Sequence, residues 1–143
     1  MIDALSNSGV TPDMSDYDKA VTLAKYLARR ISYDYGEYDY SIIDSSKETP
    51  ATTYFALHNN KATCSGFSNT YSQLMHMLGI ECYVTYGDTH AWNRVVINGI
   101  SYYNDITWNS CLGYDAYLMM DYNTFSADHN QTGESVTCFD AIW

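Results

Sequence analysis

The dipeptide Asn98-Gly99 constrains the fold of this chain more than any other feature of the sequence. It separates two runs rich in Val, Ile, Tyr and Thr, 90–97 and 100–107. Asn and Gly tolerate the positive φ angles that a two-residue hairpin turn requires. A third run of the same kind covers 80–87, so we predict an antiparallel sheet built from these three segments.

Three helical patterns precede the sheet. The first runs from the cap residue Ser15 to Ile31, the second begins at Pro50, and the third extends from Cys64 to Gly79. In each of them apolar residues recur at the spacing of one helix face. Helices followed by an antiparallel sheet indicate an α+β fold with the N-terminal helices packed on the sheet.

The remaining segments are weaker signals. Residues 1–14 are polar and without periodicity, which predicts a flexible leader or the remnant of a linker, so that 15–143 would form a single domain. The stretch 32–48 is typical of a surface loop. We also expect a strand over 117–120 and a short helical turn over 122–126.

Charge excludes several classes of function. Seventeen acidic residues stand against seven basic ones, and the net charge of −10 disfavours binding to nucleic acid or to anionic membranes. The sequence has no apolar run long enough to insert into a membrane, and its N-terminus does not resemble a signal peptide. Few Lys and many Tyr and Asn favour an extracytoplasmic domain of a longer bacterial protein, with a cytoplasmic location as the alternative.

The four cysteines contain no C-x-x-C pair, which argues against a zinc ribbon or a thioredoxin-type site. Cys111 and Cys138 both fall in the irregular C-terminal part, and we expect them to form the one disulfide if the chain has any. Cys82 lies in a predicted strand and is expected in the core.

The hairpin register suggests a pair of polar residues on one face. It pairs Trp92 with Asp105 and His90 with Thr107, so His90 and Asp105 become diagonal neighbours within hydrogen-bonding reach. A single strand histidine is more often structural than functional, so this pair alone leaves both interpretations open.

Cys64 adds a possible nucleophile. It stands where the third helix begins, and the backbone N–H groups and dipole of a helix N-terminus favour the thiolate. A small buried hydrophobe is the alternative role. Together, Cys64 as nucleophile, His90 as base and Asp105 as the group orienting the imidazole fit an acyl-transfer triad.

Three segments carry a family resemblance: ATCSGFS (62–68), GDTHAWN (87–93) and YNDITWN (103–109). They resemble the three motifs of the transglutaminase-like superfamily, in the same Cys, His, Asp order. The resemblance implies a papain-like α+β core of the bacterial single-domain type. The sequence has no D-x-D-x-D-G calcium loop.

Further residues are candidates around the triad. The Cys64 backbone N–H is the expected first oxyanion donor, and Tyr54 or Asn60 the second. Gly66 would let a substrate approach the first helical turn, beside Ser65. The indoles of Trp92 and Trp108 either wall the site or pack the sheet. We expect no cofactor and no metal, because the other histidines, His58, His76 and His129, lack partners at ligand spacing.

Acyl transfer on carboxamide or amide groups of a protein or peptide, through a thioester, is the leading functional hypothesis. The acceptor would be water or an amine co-substrate, giving deamidation or transamidation. A cysteine peptidase or amidase of the same fold is one alternative. A non-catalytic module that binds peptide or glycan while retaining the triad is the other.

Overall fold

The protein is described from a computed structural model that covers residues 1–36 and 51–135. In this part of the chain helices and short strands alternate in the first half, and an antiparallel sheet follows. The helices are α1 (Ile2–Asn7), α2 (Asp16–Arg30), α3 (Thr53–Asn59), α4 (Cys64–Met77), α5 (Ile106–Leu112) and α6 (Tyr122–Phe125). The strands are β1 (Ser32–Tyr33), β2 (Lys61–Ala62), β3 (Glu81–Tyr86), β4 (Ala91–Ile97), β5 (Ile100–Asn104) and β6 (Gly133–Ser135).

Helix α2 begins as its sequence predicts. The hydroxyl of Ser15 accepts a hydrogen bond from the backbone N–H of Asp18 at 3.1 Å, and Arg29 and Arg30 occupy the last turn, where the helix dipole favours cations. One face is apolar and buried against α4 and α5; it carries Ala20, Leu23, Ala24, Leu27 and Ala28.

Helix α4 is the central element. It contacts α2 and α3 on one side and strands β3 and β4 on the other. Its apolar residues Phe67, Tyr71 and Leu74 are fully buried, and the hydroxyl of Tyr71 donates to the carbonyl of Ala20 in α2 at 3.0 Å. A helix packed on two sides has little freedom to shift, so its first residue, Cys64, has a fixed position.

The sheet has the predicted antiparallel topology, with strand order β5-β4-β3-β6. The hairpin register is confirmed: Ile97 pairs with Ile100 and Asn93 with Asn104. Asn98 adopts a φ of 53° and Gly99 a φ of 77°, as the two-residue turn requires. Helix α4 packs on strands β3 and β4 of this antiparallel sheet, which confirms the α+β prediction.

The strand predicted over 100–107 is shorter than expected. It ends at Asn104, because the Asp105 side chain accepts the backbone N–H of Trp108 and starts helix α5 in place of continuing the ladder. The expected strand over 117–120 is reduced to a single bridge between Met120 and Tyr103. The helical turn at 122–126 is present as α6.

The N-terminal segment differs from the expected flexible leader. Residues Ile2–Asn7 form α1, and the Ala4 side chain is buried in the core. A six-residue helix without a side-chain cap leaves no periodic signal, and its stability comes from packing. Helix α3 begins at Thr53, capped by the hydroxyl of Thr52, whereas Pro50 lies outside the described residues.

Two further expectations concern segments that are only partly described. Cys111 forms no disulfide with another described residue and Cys138 lies outside the described residues, so their pairing stays a prediction. Of the expected loop over 32–48, only 32–36 is described, and it includes β1. Within 1–36 and 51–135, no helix combines the length and apolarity needed to cross a bilayer.

Candidate active site

Cys64 is the first residue of α4, and strand β2 leads into it through the cap position Thr63. Its thiol is partly buried and hydrogen-bonds to the His90 side chain and to the backbone N–H groups of Ser65 and Ala91. Burial by itself raises the pKa of the thiol. The hydrogen bond and charge of His90, with the two N–H groups, outweigh that effect, and the pKa of Cys64 is lowered.

His90 lies just before β4, where its carbonyl accepts the backbone N–H of Gly87 at 2.9 Å. Its Nε2 lies 2.6 Å from Oδ2 of Asp105. Burial works to lower the pKa of His90, but the hydrogen bonds to Asp105 and Cys64 outweigh burial and raise it to about 9. A raised imidazole pKa beside a lowered thiol pKa favours a thiolate–imidazolium pair.

Asp105 is completely buried at the junction of β5 and α5. Its Oδ1 accepts the backbone N–H of Trp108 at 2.9 Å, and its Oδ2 faces two imidazoles, those of His90 and His129. Burial raises the pKa of the carboxyl, but the hydrogen bonds from His129 and His90 outweigh burial and lower it. Asp105 is therefore a buried carboxylate with three hydrogen-bond donors.

The expected route to the His90–Asp105 contact was wrong, although the contact exists. Neither residue lies in a strand, so Trp92 and Asp105 are not a ladder pair. Asp105 reaches His90 from the cap of α5 instead. Asp is a preferred N-cap residue, and Gly113, with a φ of 80°, ends the helix; these two features are the sequence signal for α5 that the β-rich composition obscured.

His129 is the site residue that the sequence analysis missed. Its side chain is 1% exposed, and its Nε2 lies 2.7 Å from Oδ2 of Asp105. Its Nδ1 lies 2.7 Å from Oδ1 of Asp128 and 3.2 Å from the carbonyl oxygen of Phe125. The prediction that this histidine lacks a carboxylate partner was therefore wrong. The adjacent Asp128 was the available signal, whereas Asp105 is brought close only by the fold.

The two predicted tryptophans both border the imidazoles. The Trp108 ring stacks on His90, with centroids 5.2 Å apart and 15° between the planes, and lies 4.3 Å from His129. Trp92 is buried in β4, 5.9 Å from His90 and 4.9 Å from His129. Both indoles therefore lie beside the two imidazoles, and Trp92 is at the same time a buried residue of the inner strand β4. That they wall a substrate site stays a prediction.

The other candidates have the following positions. Ser65 contributes its backbone N–H to the Cys64 thiol, and Gly66 is buried in the first turn of α4. Tyr54 is 49% exposed and stacks on His58 at 5.4 Å. Asn60 ends α3 with a φ of 55°, and its Oδ1 accepts from Nε of Arg30 at 2.9 Å. None of these Tyr54 and Asn60 contacts involves Cys64, so a second oxyanion donor stays a prediction.

Ligand atoms of His90, Asp105 and His129 lie within 4.8 Å of one another, a set that in principle suits a metal ion. The observed contacts of 2.6 and 2.7 Å are hydrogen-bond distances. Ligands of a tetrahedral zinc with bonds of about 2.0 Å stand about 3.3 Å apart. The arrangement shown therefore fits shared protons and would have to open to admit an ion.

The sequence is similar to a known protein family. A family model described as the transglutaminase-like superfamily matches residues 3–110. The match includes Cys64, His90 and Asp105, and it ends before His129. No curated protein matches the chain.

Two solved structures share the fold. One is a crystal structure of a TGase, with a TM-score of 0.59 and 23% identity over 74% of this chain and 30% of that one. The other is a "putative cysteine protease" from Cytophaga hutchinsonii, with a TM-score of 0.62 and 16% identity over 96% of this chain and 42% of that one. The chain thus spans less than half of either. Since the family model covers most of the sequence, the chain belongs to the transglutaminase-like superfamily.

Proposed function

We propose that the protein is a cysteine-dependent acyl-transfer enzyme that acts on carboxamide or amide groups of proteins or peptides. The observation that carries this proposal is the hydrogen-bonded line from Cys64 through His90 to Asp105, with the thiol at the first residue of α4. A cysteine that only fills space needs none of these polar neighbours. The arrangement matches the requirements of an activated nucleophile and an oriented base.

In the proposed first half-reaction, the Cys64 thiolate attacks the carbonyl carbon of the substrate. A carbon–sulfur bond forms, and the carbonyl electron pair moves onto oxygen. When the intermediate collapses, the carbon–nitrogen bond breaks, and the leaving nitrogen takes a proton from His90. The proton comes from the ring nitrogen that does not contact Asp105, because Nε2 is engaged there. Ammonia or an amine leaves, and a thioester remains.

The second half-reaction resolves the thioester. Water or an amine attacks the carbonyl carbon while His90 removes its proton, and Cys64 then leaves as the thiolate. Water gives a carboxylate, which is deamidation or hydrolysis, and an amine gives a new amide. Asp105 keeps its charge throughout and stabilises the imidazolium whenever it forms.

Two features support an amine as acceptor. Trp108 and Trp92 cover the His90 imidazole, which limits the access of water on that side. The chain also carries 17 acidic and seven basic residues, so its overall field attracts a cationic amine such as a lysine side chain. The reaction products distinguish the two acceptors: an amine gives a new amide, and water gives a carboxylate.

The test compares wild-type protein with Cys64→Ala on glutamine-containing peptides, with and without a fluorescent primary amine. Ammonia release, amine incorporation and chain cleavage are measured separately by mass spectrometry. We expect turnover in the wild type and none above background in Cys64→Ala. Cys111→Ala is the matched control, because Cys111 is an exposed cysteine on α5.

Each outcome has a distinct meaning. Cleaved chains would replace transamidation with peptidase activity at the same site. Turnover that persists in Cys64→Ala would overturn the proposal. Peptide binding without any product in the wild type would favour the non-catalytic module.

A further inference from the structure

Asp105 holds two imidazoles with a single carboxylate oxygen. Oδ2 lies 2.6 Å from Nε2 of His90 and 2.7 Å from Nε2 of His129. The proposed reaction uses His90 and gives His129 no part. The side chain of His129 is nonetheless the more deeply buried of the two, 1% exposed against 19%. A buried imidazole on the key carboxylate calls for a physical explanation.

The surroundings of His129 determine its protonation. Its Nε2 faces Asp105 and its Nδ1 faces Asp128, each at 2.7 Å. A neutral imidazole carries one N–H, so one of these contacts would bring two lone pairs together at hydrogen-bond distance. Both contacts are favourable only when both ring nitrogens carry protons. The geometry therefore corresponds to an imidazolium between two carboxylates.

Aromatic rings enclose this imidazole and agree with a positive charge. Phe125 stacks on it with centroids 3.8 Å apart, and Trp108 lies at 4.3 Å. Trp92 and Tyr117 lie 4.9 and 5.3 Å away, with their planes steeply inclined to the imidazole. The faces of aromatic rings attract cations, most strongly where water is excluded. The same rings keep the two His129 hydrogen bonds in a medium of low dielectric constant.

The partner carboxylate Asp128 is itself held in place. Its second oxygen, Oδ2, accepts the hydroxyl hydrogen of Tyr117 at 2.6 Å. Hydrogen bonds therefore run from Tyr117 through Asp128, His129, Asp105 and His90 to Cys64. In this line the carboxylate charge of Asp105 is divided between two rings whose centroids are 6.0 Å apart.

We propose that His129, charged and held by Asp128, is a positioning residue that acts through Asp105 to weaken the hold of the His90 imidazolium on its proton. Asp105 alone would bind that proton more tightly and slow its transfer to a leaving amine. A second cation on the same oxygen offsets part of that attraction. The inference rests on the proposed function for its purpose. The effect of the His129 charge on His90 can be measured without turnover. His129 lies beyond residue 110, where the family match ends, so the match says nothing about this residue.

Several charged and titratable groups face His90 and His129 and affect their protonation. His90 faces Asp105, Cys64 and the ring of His129. His129 faces Asp105 and Asp128, and Asp128 faces Tyr117. The titration of His90 therefore depends on Asp105, Cys64 and the charge of His129.

The loop that carries His129 is fixed against the loop that carries His90. The Asn130 carbonyl oxygen would lie 2.6 Å from a Cβ placed on Gly87, so only glycine permits this approach. The Thr132 N–H donates to the carbonyl of Tyr86 at 2.8 Å, next to Gly87. The two histidines thus keep their shared contact to Asp105 through packing of both loops.

The test uses long-range proton–nitrogen NMR spectra of the histidine rings, which distinguish neutral from doubly protonated imidazole without any substrate. The four signals are assigned with single His→Gln variants of the full chain. We expect His129 to be doubly protonated at pH 7. A neutral His129 at that pH overturns the proposal.

The second readout is the titration midpoint of His90. In His129→Gln we expect it to rise by on the order of one pH unit, because a like charge nearby is removed while the amide still donates to Asp105. His58→Gln is the matched control, since His58 lies on α3, away from this line of residues, and should leave the His90 midpoint unchanged. An unchanged or lower midpoint in His129→Gln contradicts the proposal, because a purely structural histidine would not shift it upward.

Asp128→Asn provides an independent test where His129→Gln does not fold. Its side chain is 45% exposed, so the substitution removes charge with little loss of packing. The charged fraction of His129 should fall and the His90 midpoint should rise; no change in either is contrary to the proposal. These measurements are separate from turnover. A protein in which Cys64→Ala abolishes turnover while His129 is neutral would retain the proposed function and lose only this inference.

Discussion

The indole of Trp108 lies face to face with the imidazole of His90, with 15° between the planes and 5.2 Å between the centroids. The Trp108 backbone N–H also binds Oδ1 of Asp105. One residue therefore orients both partners of the His90–Asp105 hydrogen bond, its ring acting on the imidazole and its backbone on the carboxylate.

We expect Trp108→Ala to lower kcat/KM by about 10- to 100-fold, because loss of the stacking face lets the imidazole leave its productive orientation. Trp108→Phe keeps an aromatic face and should retain most of the activity. Rates are compared with the glutamine-peptide assay, and thermal unfolding checks that both variants are folded. Equal activity in the alanine and phenylalanine variants would show that the ring does not orient His90.

Substitution of Asp105 separates catalysis from folding. Asp105→Asn retains an oxygen that can cap α5 but loses the charge, so we expect a fold-competent protein with turnover lowered by about 10⁴-fold. The substrate-free measurement is the rate of Cys64 alkylation by iodoacetamide at pH 6, which should also fall.

Asp105→Ala removes the cap as well. Loss of an N-cap costs about 1 kcal/mol, and the half-buried His90 and buried His129 then lack their shared acceptor, so urea unfolding should show a clearly larger loss of stability than in Asp105→Asn. Equal stability of the two variants would mean that the cap and the histidine contacts contribute little to the fold.

These residues also show how far sequence reasoning reaches in this protein. The hairpin register could be predicted because Asn98-Gly99 is a local signal with one favoured backbone geometry. Cys64 could be placed at a helix start because the apolar residues that follow it recur at helical spacing, which is also a local signal. Asp105 was assigned to the right partner in the wrong element, because the β-rich residues around it concealed a helix cap.

His129 could not be paired from sequence, because its contact to Asp105 joins residues 24 positions apart, with helices α5 and α6 between them. Burial and hydrogen bonds of that kind depend on tertiary packing, which no local pattern encodes. The same holds for the Ala91 N–H that reaches the thiol, since any residue type supplies a backbone donor.

Gly87→Ala tests the packing of the two loops. The φ of Gly87 lies outside the left-handed region, so alanine fits its backbone and the cost comes from contact with the Asn130 carbonyl at 2.6 Å and the Trp92 ring at 3.4 Å. We expect a loss of about 1–3 kcal/mol in urea unfolding, typical of overpacking. Asp88→Ala, an exposed neighbour in the same loop, is the control and should stay within about 0.5 kcal/mol of wild type. A stable Gly87→Ala protein would indicate that the Asn130 loop moves away freely.

The pH dependence of stability follows from the pKa of His90. The folded protein raises it from 6.5 to about 9, so the folded state binds this proton more tightly than the unfolded state. The resulting stabilisation is fully present below about pH 6.5 and is lost as pH rises through about 9. Asp105 acts in the opposite sense: its lowered pKa stabilises the fold above the unfolded value of about 3.9, and this contribution is lost in acid. Cys64 also acts in the opposite sense, because its lowered pKa favours the folded state until the pH passes the ordinary thiol value of about 8.5. We therefore expect the urea midpoint of the wild type to fall mainly between about pH 8.5 and about pH 10, and more steeply than that of His90→Gln, in which the titrating ring is absent. Parallel curves over that range would mean that His90 titrates alike in the folded and unfolded chains, and the thiolate–imidazolium pair would lose its support.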